Sequence, residues 1–117
     1  MTAANHDIII EQGSVFTLNL VYKDSTGTPI NLTGYSARMQ VRQKYASTTP
    51  LISLTSPSDI TLGGALGTIV AKISASVTKD LTIKQGVYDL ELVPPSGAAD
   101  AFRLVEGAVT VTPEVTR

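Results

Sequence analysis

Hydrophobic and polar residues alternate along most of this chain. In Val15 to Tyr22, VFTLNLVY, Phe16, Leu18, Leu20 and Tyr22 share one side, with Thr17 and Asn19 on the other. That period of two predicts a strand with one buried face. Tyr35, Ala37, Met39 and Val41 alternate in the same way with Ser36, Arg38, Gln40 and Arg42. Further on, Ile69, Ala71 and Ile73 are predicted inward, as are Tyr88, Leu90 and Leu92, with Asp89 and Glu91 outward. Ile8–Ile10, Leu51–Thr55 and Ile60–Leu62 predict shorter strands. Phe102 and Leu104 open a last strand that Gly107 is expected to interrupt as a bulge before Val109 and Val111.

Turn formers stand between these runs. Asp24, Ser25, Gly27 and Pro29 follow the second strand, and Pro94-Pro95-Ser96-Gly97 precedes the last. Lys44 to Pro50 is a polar connection. Residues 76–81, within ASVTKDL, predict one or two helical turns passing from one sheet to another, capped by Ser76 or Thr78 with help from Asp80. Residues 1–6 carry no pattern and are expected to form a flexible tail. The sum is about seven to nine short strands in an all-β, antiparallel sandwich or barrel. With 117 residues the chain fits a single domain, 1–117.

Composition changes this picture little. Charged residues make up 16% of the chain, and Thr, Ser and Gly take the place of the missing charge. The formal net charge is −1, against the basic patch that nucleic-acid binding requires. Arg38, Arg42 and Lys44 form the local basic cluster, read as the solvated face of one strand. The segment MTAANHD lacks the order of a signal peptide, and Ile8-Ile9-Ile10 is too short an aliphatic run to span a bilayer. The expectation is a soluble protein made in a cytoplasm, with no nucleic-acid and no membrane partner.

Candidate chemistry is sparse. There is no Cys and one His, His6, in the expected tail, so thiolate catalysis and Cys-based metal sites are excluded. Asp24 to Gly27 lacks the acidic spacing of a calcium loop and reads as a turn. Asp89 and Glu91 can be read as an acid/base pair, but two carboxylates on a solvated strand have the same spacing. Gly63-Gly64-Ala65-Leu66-Gly67 leads into a strand, not the helix that a phosphate cradle needs. Asn31-Leu32-Thr33 matches a glycosylation acceptor with no secretion signal beside it. No catalytic, cofactor or metal residue is assigned, and the expectation is a protein that is not an enzyme.

Two longer patterns go further. Gly86, Tyr88 and Leu92 resemble the Gly-x-Tyr-x-x-x-Leu of immunoglobulin-like sandwiches, where the Tyr hydroxyl bonds an upstream backbone group. The stretch YKDSTGTPINLTGYSARMQVR, Tyr22 to Arg42, runs from a strand end through an Asp/Gly turn and Pro-Ile-Asn-Leu-Thr-Gly into an alternating strand. With GVYDLELVPPSG and RLVEGAVTVTPEVTR it resembles the N-terminal domain of tailed-bacteriophage baseplate upper proteins, over Ile8 to Arg117. The resemblance implies an immunoglobulin-like β-sandwich and a non-enzymatic structural subunit of the virion. Its place would be a tail, baseplate or fibre-attachment adaptor, with other virion proteins (tail, baseplate or fibre subunits) and copies of itself in a symmetric ring as partners. A capsid-decorating cement protein and a small host-glycan-binding module are the alternatives. Arg38, Gln40 and Arg42 become a candidate partner-docking face, and Tyr45 the candidate exposed aromatic contact.

Overall fold

The computed structural model describes residues 4–115. They form nine strands: β1 Ala4–Asn5, β2 Ile8–Glu11, β3 Phe16–Val21, β4 Ser36–Arg42, β5 Ile52–Thr55, β6 Ile60–Leu62, β7 Thr68–Ile73, β8 Gln85–Val93 and β9 Phe102–Thr112. One α-helix, α1 Ala75–Lys79, joins β7 to β8. The larger sheet runs β1-β9-β8-β4-β5, with β2 also on β9, and the smaller runs β3-β7-β6. This is an immunoglobulin-like β-sandwich. The small sheet follows the B-E-D order of such domains, and β9-β8-β4-β5 the G-F-C-C′ order.

The inward residues of each strand build one core. Leu18, Met39, Val41, Ile69, Ile73, Leu90, Leu92 and Val109 are all buried. Leu90 stands two residues after Tyr88, where antibody domains place the second Cys of the inter-sheet disulfide. Met39 lies opposite Leu90 on β4. Apolar packing thus occupies the centre that a disulfide and Trp hold in antibody domains.

Three expectations are corrected. The sandwich is not wholly antiparallel, because β1 and β2 run parallel to β9. The tail ends sooner than expected: Ala4 and Asn5 pair with Val105 and Glu106, and the His6 N–H donates to the Glu106 carbonyl at 2.8 Å. Residues 1–3 of that tail lie outside the described residues, as do 116–117 at the end of the resembling segment. Finally, Gly107 is not a bulge. It stays in the ladder opposite Tyr88, and the register slips between Leu90 and Glu91, leaving Leu104 as the extra residue. Gly107 is required for another reason: a Cβ there would collide with the His6 carbonyl as β1 passes.

Around α1 the expected caps play other parts. Ser74 holds the N-terminal position without a side-chain bond to the helix backbone, its hydroxyl meeting that of Ser76 at 3.1 Å, and Asp80 closes the C-terminal end. Thr78 is fully buried. Its hydroxyl donates to the Ser14 carbonyl at 2.8 Å and accepts from the Gly13 N–H at 3.1 Å, tying the helix to the turn between β2 and β3. Before β4, Gly34 adopts φ +83°, where a Cβ would be strained and would meet Pro95 Cγ at 2.9 Å.

Candidate interaction face

Strand alternation carries Arg38, Gln40 and Arg42 to the outer face of the large sheet. The neighbouring strands decide what they meet. Arg38 lies opposite Glu91, and Gln40 opposite Asp89, on β8. Across β8, Glu91 faces Arg103 and Asp89 faces Glu106 on β9. Three cations and three carboxylates therefore share one face: Arg38, Arg42, Arg103, Asp89, Glu91 and Glu106. They line an open depression of about 520 Å³ with Gln40, Val87 and Tyr45.

Most of these charges are engaged with one another. Arg38 Nε sits 2.6 Å from Glu91 Oε1. Arg103 bridges Asp89 Oδ2 and Glu106 Oε1, each at 3.2 Å. Asp89 and Glu106 are like charges placed opposite each other, which is unfavourable unless a cation lies between them. The hydrogen bond and charge of Glu106 hold the Arg103 guanidinium above its ordinary pKa. Burial, then the nearby Glu91, pushes the Asp89 carboxyl above its ordinary value despite Arg103.

Arg42 differs. It makes no ion pair among the described residues. Its Nη2 donates to Gln40 Oε1 at 2.8 Å and its Nη1 to the Ser47 carbonyl at 2.6 Å. The Lys44 N–H also donates to Ser47 Oγ at 3.1 Å, so Arg42 and Ser47 shape the loop that carries Tyr45. Tyr45 is 75% exposed at the rim of the depression. The structure thus brings together the four residues singled out from the sequence.

Arg103 and Glu106 belong to the same face and escape a sequence reading. Three apart on a regular strand, they would point to opposite sides; the Leu104 bulge turns both outward. The bulge leaves no turn residue as a signal.

The remaining candidates are structural. Asp24 Oδ1 accepts from Thr26 N–H, Thr26 Oγ1 and Thr28 N–H at 2.6–3.0 Å, which closes a turn. The Thr26 hydroxyl contributes most to holding its pKa below the usual value. Asn31 closes a similar turn onto Thr33. His6 acts through its backbone: its carbonyl accepts the Tyr88 hydroxyl. The Tyr88 bond therefore runs back to the N-terminal strand rather than to a group a few residues upstream. Burial, with the Asp7 charge second, pushes the Tyr88 pKa up to about 12. Among the described residues no group of His, Asp and Glu is arranged to hold a metal ion, and no helix is long and apolar enough to cross a membrane.

No protein-family model matches the sequence, and no curated protein does. Among solved structures the chain is similar to Tim-1, at 15% identity over 100% of this chain and 99% of that one, with a TM-score of 0.45.

Proposed function

We propose that this chain is a non-enzymatic structural subunit of a tailed-phage virion, acting as an adaptor in the tail, baseplate or fibre-attachment region. The observation that carries the reading is the resemblance of Tyr22–Arg42 to the baseplate upper proteins. The outer face of the large sheet supports it. An open, mixed-charge depression on strands β4, β8 and β9 with an exposed Tyr on its rim has the make-up of a protein-docking surface, in which aromatic and Arg residues dominate the contact energy. In this reading the partners are other virion proteins and copies of the chain in a closed ring. Mass spectrometry of purified particles tests the proposal. The chain is expected in stoichiometric amount, and its absence from every particle overturns the reading. Its position in those particles separates a tail part from a capsid-decorating protein.

A host-glycan module is the second reading, favoured by the 75% exposure of Tyr45 beside polar groups that can bond sugar hydroxyls. Sugar rings stack on exposed aromatics, so Tyr45→Ala should abolish cell binding if this reading holds. Unchanged binding by the variant removes it.

A further inference from the structure

The free edges of the two sheets are not alike. Strand β3 pairs with β7 alone. The Tyr22 N–H donates to the Gly67 carbonyl. Along the β3–β7 register that bond places Leu20, Leu18 and Phe16 toward β7. Thr17, Asn19 and Val21 consequently aim their N–H and C=O groups away from it. Among the described residues nothing bonds these six groups, and all three residues are exposed.

Among the described residues the other edge strands are shorter than β3, and some of their outward groups are covered. On β5, the Ser56 N–H bonded to Ala37 turns Ser53 and Thr55 outward. Asp59 then covers Thr55, donating its N–H to the Thr55 carbonyl at 2.9 Å and accepting the Thr55 N–H at 3.3 Å. On β2 the outward residues are Ile9 and Glu11, so an acidic side chain stands beside Ile9, and the Glu11 carbonyl accepts from Ser14. On β6 only Ile60 and Leu62 face out. Long, uncharged open edges are what folded proteins avoid unless a strand is meant to join them. From Val15 to Tyr22 there is no charge and no Pro.

We propose that two copies of this chain pair through β3, antiparallel, about a two-fold axis at Asn19. The register follows from the three outward residues. Asn19 meets its symmetry mate, and Thr17 meets Val21, so each copy supplies the donors and acceptors that the other lacks. On the inner face Leu18 then neighbours Leu20, and Phe16 neighbours Tyr22. Phe16, Leu20 and Tyr22 are the half-buried members of this strand, and pairing covers them. A two-fold contact is self-complementary by construction, and an edge without charge meets its copy without repulsion. The two small sheets become one continuous sheet. The proposal stands apart from the virion reading, since it rests on backbone groups alone.

A six-residue edge is a small interface, so the dimer is expected in the micromolar range or weaker, on the order of 10–100 μM. Sedimentation equilibrium of the full chain up to about 1 mM should show mass rising from 12.3 kDa toward twice that value. Asn19→Pro removes an outward N–H, a position where an edge strand tolerates Pro. It should stay monomeric with its circular dichroism intact. Asn19→Lys changes only an exposed side chain, sets like charges against each other and should weaken the dimer at least tenfold. An equimolar mixture of Asn19→Lys and Asn19→Asp should restore it. A monomeric wild type at 1 mM overturns the proposal and leaves the edge to a foreign strand. A dimer that Asn19→Lys leaves unaltered, or a mixture that fails to re-form it, overturns it equally.

Discussion

The two sheets handle their exposed polar groups in opposite ways. On the large sheet six charged side chains cover the outer face, and most are engaged with one another: Arg38 with Glu91, and Arg103 with Asp89 and Glu106. The small sheet carries no charge along β3, and its free backbone groups are unmatched. Side-chain charge that is internally balanced is a weak source of stability and a good source of orientation toward a partner. Unmatched backbone groups are a template for another strand. The sheets also differ in how they are held. Beneath its face the large sheet has Leu90 at the centre of the core, and at its edge the parallel strands β1 and β2 are pinned by Tyr88.

The comparison breaks most completely at Leu90. It is fully buried between Met39 on β4 and Val105 on β9. Leu90→Ala should lower unfolding free energy by about 2–5 kcal/mol in urea denaturation, through lost transfer energy plus a cavity. A loss under 1 kcal/mol would show that the small sheet, not the large one, centres the core. Gly107→Ala comes next. The added Cβ meets the His6 carbonyl, so β1 must shift away from β9. The expected loss is about 1–3 kcal/mol, and the His6 amide should exchange with solvent faster in hydrogen-exchange measurements.

Tyr88→Phe sharpens the same contrast and adds a pH signature. The His6 carbonyl loses its buried donor, at a cost of about 1 kcal/mol near pH 8. Burial raises the Tyr88 pKa from near 10 unfolded to about 12 folded. A raised pKa means that the folded state favours the protonated phenol. This contribution is complete below pH 10 and is lost as the pH rises through 12. Wild-type stability should therefore fall toward the variant's across that window, and the gap between the two melting curves should close. A gap constant from pH 8 to pH 12 would mean that the phenol is not shielded.

Much of this fold is legible in the sequence, and the parts that are not share a cause. Strands β3, β4, β7 and β8 alternate without interruption, so the inward set from Phe16 to Leu92 follows from period alone. Strand β1 has two residues, too few for any period, and what orders it is a strand a hundred residues later in the chain. The bulge at Leu104 reverses parity with no Gly or Pro to mark it. The candidate face divides the same way. Arg38, Gln40 and Arg42 follow from alternation on one strand, whereas the carboxylates that meet them depend on cross-strand register. The open edge of β3 depends on which strands flank it, and no property of VFTLNLVY alone reports that.

The smallest effects belong to the charged face. Arg38→Ala and Glu91→Ala, with the double variant, should give a coupling below about 1 kcal/mol, because the pair is solvated and screened. Asp89→Asn goes further, since its sign is informative. Burial and the neighbouring carboxylates raise the Asp89 pKa, so the charged form is disfavoured in the folded state. Its contribution to stability grows as the pH falls through the folded pKa and is lost as the pH rises from acid toward neutrality. At pH 7 the Asn variant, which keeps an acceptor for Arg103 without the charge, should be as stable as wild type or slightly more so in urea. Removing a carboxylate from a set that also contains Glu91 and Glu106 relieves repulsion by more than the lost pairing with Arg103 costs. A clear loss of stability in Asp89→Asn would show that Arg103 dominates instead, and that the face is held together by its charges rather than merely covered by them.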